Sequence, residues 1–115
     1  MKPPVLADVL AVLEGLARDG WHTARGKLAV ALLEAYPLEP ALHAHRALAA
    51  LETDGVETAR LLLRASTVQL KISSRPLPDA LLEAYRVVAL VAATRGETEA
   101  VLAITGASQT ARTLH

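Results

Sequence analysis

Apolar side chains recur every three to four positions along most of this chain, and that period predicts helices. In 4–18, Leu6, Val9, Leu10, Leu13 and Leu16 fall at helical spacing. The same rhythm runs through 21–35, 40–53, 56–70, 78–94 and 97–105, giving six predicted helices. Pro4, Pro40 and Pro78 each open one of these runs, where a missing N–H costs nothing. Asp19-Gly20, Asp54-Gly55 and Arg95-Gly96 fall between runs, where the chain must turn tightly. Asp54 and Glu57 have capping-box spacing at the start of the fourth run.

The turns repeat. Gly20-Trp-His-Thr-Ala24, Gly55-Val-Glu-Thr-Ala59 and Gly96-Glu-Thr-Glu-Ala100 share the form G-x-x-x-A, and each follows a run opened by proline. Gly20 and Gly55 lie 35 positions apart, and Gly55 and Gly96 lie 41 apart, the excess falling in KISSRPLP at 71–78. Three helix–turn–helix units of similar length are what an α-solenoid requires.

On these residues the chain resembles the tetratricopeptide family of helical hairpins. The matching small positions are Ala24, Ala59 and Ala100, followed one turn later by Leu28, Leu63 and Ile104, and then by Ala31, Ser66 and Ala107. Tyr36-Pro37 ends the first unit much as the family's proline ends its repeats. The first helices depart from the family: they lack its Trp, Leu-Gly and Tyr positions, and Gly15 stands where a tyrosine is usual. The resemblance implies an all-α fold of three antiparallel hairpins, near 4–36, 40–70 and 78–105, in a right-handed solenoid. One helical-repeat domain would cover 1–107, with 108–115 as a flexible tail. An irregular six-helix bundle, with glycine turns because helices end that way, is the alternative.

In the family's arrangement the first helix of each hairpin lines a concave face. That mapping makes Leu6, Val9, Leu13 and Leu16 protein-binding residues from unit one, with Leu48 and Leu51 from unit two. Leu82 and Tyr85 come from unit three. Tyr85 is the strongest of these, because tyrosine is enriched among dominant contacts and leucine is not. PDALLEAYRVVALVAA, 78–93, is apolar on nearly every side, so it must be covered on nearly every side. A second copy, a partner's amphipathic helix or closure of the six helices on themselves would each cover it.

Charge narrows the partners. Twelve basic residues balance twelve acidic ones, which argues against nucleic acid, whose binders carry a basic excess. Arg60, Arg64 and Lys71 form a short basic stripe, read as a solvated face or as a contact for an acidic partner. Without cysteine the chain has no disulfide, thiolate nucleophile or Cys-based zinc site. Asp8 and Glu14 interrupt the apolar start, so it reads as a helix of the mature protein rather than a secretion signal. No run is long enough to span a bilayer, and the cytoplasm is the expected location.

Candidate chemistry is sparse. His43 and His45 are two positions apart, too divergent on a helix to chelate one metal, and read as surface residues. Trp21 is expected to pack across the first hairpin turn, with His22 exposed beside it. Glu14 and Arg18 have the spacing of an exposed i, i+4 pair. No nucleophile elbow, phosphate loop or zincin motif occurs. The expected function is a non-catalytic module, without cofactor or metal, that docks a protein partner or itself as a homodimer. An accessory component of a transcriptional or other regulatory complex is the second reading, and an enzyme with its site in a helical core the third.

Overall fold

The computed structural model describes residues 6–70 and 77–94. These form five helices: α1 (Leu6–Arg18), α2 (His22–Ala35), α3 (Pro40–Thr53), α4 (Val56–Gln69) and α5 (Asp79–Thr94). There is no strand among the described residues. The sixth predicted helix, most of the 71–78 loop and the tail lie outside them.

The punctuation acts as its chemistry requires. Pro40 opens α3, and Glu39 caps it through a long side-chain contact to the Ala41 N–H at 3.4 Å. The N–H groups of Asp54 and Gly55 close the other end on the Ala50 carbonyl, at 2.7 and 3.0 Å. Gly55 then leads into α4 with φ +106°, a backbone that side chains rarely adopt. Gly20 turns α1 into α2 the same way, at φ +80°. The expected Asp54–Glu57 capping box does not form. Gly55 takes the N-cap position without a side-chain bond, and Glu57 pairs instead with Arg60 one turn on.

Helix α3 is the centre. It packs on α1, α2, α4 and α5, while α1 and α2 make no contact with α4 or α5. Its alanines are the reason. Ala44, Ala47, Ala49 and Ala50 are buried, and small side chains let several helices approach one axis. Gly26 of α2 sits so close that an added Cβ would meet the Ala49 Cβ at 3.4 Å.

Two apolar clusters flank this helix. Leu13, Ala29, Leu33 and Leu42 join α1, α2 and α3. The larger cluster joins α3, α4 and α5 around Leu51, Leu63, Leu81, Tyr85 and Val88. Each fully buried leucine or valine there contributes roughly 1.5–3 kcal/mol of transfer free energy.

The two hairpins do not bury equivalent positions. In α4 the expected packing residues Ala59, Leu63 and Ser66 are all fully buried. In α2 the expected small residues Ala24 and Ala31 are exposed, and burial falls on Arg25, Ala29 and Leu33. The helix is therefore turned by about one residue, roughly 100°, from the register the turn motif suggests.

Candidate functional site

Helices α2 and α4 flank α3 without touching each other, and an open groove of about 720 Å³ lies along α3 between them. Thr23, Lys27 and Val30 line it from α2, and Leu62 from α4. Its floor is α3, from Arg46 through Ala49 and Ala50 to Thr53, with Asp54 at the end. Apolar and small residues fill the middle, and charges stand at both ends. Helices α1 and α5 contribute nothing to it.

A polar seam runs beside this groove. His43 is fully buried and spans from the first hairpin to α4: Nε2 lies 2.7 Å from the Pro37 carbonyl and Nδ1 lies 2.9 Å from Ser66 Oγ. A carbonyl only accepts, so Nε2 carries the proton and donates. Nδ1 then accepts, facing Ser66 Oγ and, at 3.4 Å, Arg46 Nη2. Arg46 Nη2 also donates to Ser66 Oγ at 3.3 Å, and the single Ser66 proton is shared between two acceptors at 2.9 Å, Nδ1 and the Leu62 carbonyl. The imidazole is thus oriented as a base would be, beside a hydroxyl. Both side chains are sealed from solvent, so no substrate reaches them, and the arrangement is a structural tie.

Among the described residues Arg46 has no carboxylate partner. The ion pairs among the described residues are Arg60–Glu57 and Arg86–Glu83, both within single helices. Burial pulls the Arg46 guanidinium below its usual pKa, and its Nε is buried without a hydrogen-bond partner. A second such cluster joins α2 to α3. Arg25, buried, donates from Nε to His45 Nδ1 at 3.0 Å. Burial, and then the Arg25 charge, lower the His45 pKa to about 4, against a smaller opposing pull from Glu14. Burial also lowers Arg25, partly offset by Glu52.

The surface reading of the histidines is corrected by these contacts. His43 is an interior residue because its two acceptor and donor atoms are both satisfied across a helix junction, and His45 is half-buried for the same reason. Trp21 does not pack across the turn but stands 64% exposed, and His22 is half-buried. Glu14 and Arg18 make no ion pair; both stay in solvent. Of the basic stripe, Arg60 is occupied by Glu57, Arg64 is exposed, and Lys71 lies outside the described residues.

The eight residues expected to bind protein divide by burial. Leu13, Leu51 and Tyr85 are enclosed in the two clusters and present no free surface. Leu6, Val9, Leu16, Leu48 and Leu82 are half-buried. Tyr85 packs inward among α3, α4 and α5, where burial raises its phenol pKa against the pull of Thr67, Arg64 and Arg60. Sequence reasoning missed Arg46, Lys27 and the groove they line. The available signal was Arg46 four positions before Ala50 and three before Ala49, a cation on a face of small apolar residues.

Among the described residues no group of three His, Asp or Glu side chains is placed to hold a metal ion. No described helix is long and apolar enough to cross a membrane. No protein-family model, curated protein or solved structure matches this chain.

Proposed function

We propose that this chain is a non-catalytic protein-binding module built of stacked helical hairpins, in the manner of a tetratricopeptide-like right-handed solenoid. The contact order supports the stacking. Each hairpin touches the next through α3, and neither helix of the first hairpin reaches α5, as nearest-neighbour repeats require. The observation that carries the binding reading is the groove along α3. It is open, held by three helices, and mixes apolar lining with cations that form no ion pair among the described residues. Sites of this size range accept ligands through apolar contact, with a few polar groups for orientation.

Apolar surface elsewhere points the same way. Leu90 on α5 is 66% exposed, and Leu61 and Val68 project from α4. Such residues are a reason for a second copy to dock as well, making a homodimer. Light scattering after size exclusion at low micromolar concentration reads self-association directly. Selection of random displayed peptides on the full chain reads the binding of a foreign partner. The proposal requires a dimer, an enriched peptide set, or both. A clean monomer that enriches no peptide over an albumin control ends it.

A further inference from the structure

We propose that the α2–α3–α4 groove takes a short segment of a partner protein, seating an acidic side chain between Arg46 and Lys27 and a basic one toward Asp54. The inference rests on the binding reading above and gives it a ligand chemistry.

Arg46 is the anchor. Its Nη2 is fixed by Ser66 Oγ and His43 Nδ1, and His43 is itself fixed by the Pro37 carbonyl. The guanidinium is therefore held along one edge, while Nη1 has no partner among the described residues. A preoriented guanidinium with Nη1 free is suited to a carboxylate, which accepts a charge-assisted hydrogen bond from it. Among the described residues nothing supplies that carboxylate. Asp54, the acidic residue of the groove, lies eight positions along from Arg46, about 12 Å at the rise of an α-helix.

The same separation sets the ligand's length and polarity. An extended chain covers 12 Å with about four residues. Arg46 and Lys27 attract a negative group, and Asp54 attracts a positive one. Between them Gly26, Ala49 and Ala50 leave a floor without bulky side chains, with Val30 and Leu62 on the walls. The middle of the segment is accordingly small or aliphatic. Asp54 also disfavours a dianion, so a carboxylate fits this groove better than a phosphate does.

The test takes the peptides enriched on the full chain by display selection, synthesises them, and titrates them by fluorescence anisotropy. The expected peptides carry Asp or Glu, and replacing it with Asn or Gln weakens binding at least tenfold. Lys27→Glu, at an exposed position that should leave folding intact, weakens it by a similar factor. Arg46→Gln does so more strongly, its fold checked by circular dichroism. Inorganic phosphate at millimolar concentration displaces the peptide no better than chloride of equal ionic strength. Enriched peptides that bind without a carboxylate, or that ignore Lys27→Glu, overturn the inference and leave the binding module standing. Displacement by phosphate overturns it in favour of a phosphorylated ligand; an empty selection overturns it too, and takes the binding module with it when the chain is also a clean monomer.

Discussion

Replacing His43 with alanine tests whether the two hairpins are tied by a directional contact or merely pressed together. The imidazole is fully buried and holds the Pro37 carbonyl at 2.7 Å and Ser66 Oγ at 2.9 Å. Ser66 survives the loss, because it keeps the Leu62 carbonyl at 2.9 Å and the Arg46 donor. Pro37 does not: it keeps only the exposed Gln69 amide at 3.4 Å. Pro37 is exposed, so its carbonyl can turn to water, and the lost bond costs about 0.5–1.5 kcal/mol. The space left by the ring adds a cavity term toward the low end of the ~2–5 kcal/mol found for large-to-alanine changes. A total near 3 kcal/mol is then expected, a large share of the ~5–15 kcal/mol typical of a folded domain. Urea unfolding at pH 7, followed by far-UV circular dichroism, measures it. Ser66→Ala is the control and should cost only about 1 kcal/mol, since Arg46 Nη2 still faces Nδ1. A His43→Ala loss below about 0.5 kcal/mol would refute the reasoning, because no buried, doubly bonded side chain is that cheap to remove.

Stability should also depend on pH through His45. Its folded pKa lies near 4 while the unfolded value is 6.5, so between those values the unfolded chain binds a proton that the folded chain refuses. The contribution is fully present above pH 6.5 and is lost as pH falls toward 4. It amounts to at most about 3 kcal/mol, less for a half-buried group. Urea midpoints at pH 7 and pH 5 should differ in the wild type and converge in His45→Gln. At Gly55, φ is +106°, so Gly55→Ala should cost about 1–3 kcal/mol, read from the thermal midpoint. An unchanged midpoint would mean that the α3–α4 turn adopts another backbone. Val88 is fully buried in the larger cluster, and Val88→Asp places a lone carboxylate there at a cost of several kcal/mol (~2–7). Loss of the cooperative melt is expected; a melt like the wild type's would show that α5 does not pack as described.

The helices were legible because their signals are local. Pro40, Gly20 and Gly55 act within one turn of their own positions, and the apolar period reports a helix wherever it falls. The register of α2 was not legible. Its turn motif pointed to Ala24 as the packing residue, and the helix buries Arg25 instead, since His45 offers an acceptor that only the fold brings near. His43 was misread for a related reason. The acceptor and hydroxyl that make burial affordable come from 6 and 23 positions away. A hint was present in the sequence: His43 precedes Ala47 and Ala50 by four and seven positions, the spacing of one helical face. The groove was hidden more completely. The family resemblance directs attention to the first helix of each hairpin, whereas α2 and α4, second helices, form its walls.

The polar seam has a physical reason that joins the fold to the candidate site. Helix α3 meets its four neighbours mainly with alanines, and small side chains interlock weakly along an axis. Apolar burial alone would hold such a helix in place while leaving its register loosely set. Directional contacts set it: His43 to Pro37 and to Ser66, and Arg25 to His45, each joining different elements at a fixed height. These bonds hold Arg25 and Arg46 away from water without an ion pair among the described residues, a desolvation cost that apolar residues would avoid. The register they fix is also what aims Arg46. Its Nη2 is bound to the same Ser66 and His43 that tie the hairpins together, so the geometry of the groove follows from the geometry of the junction.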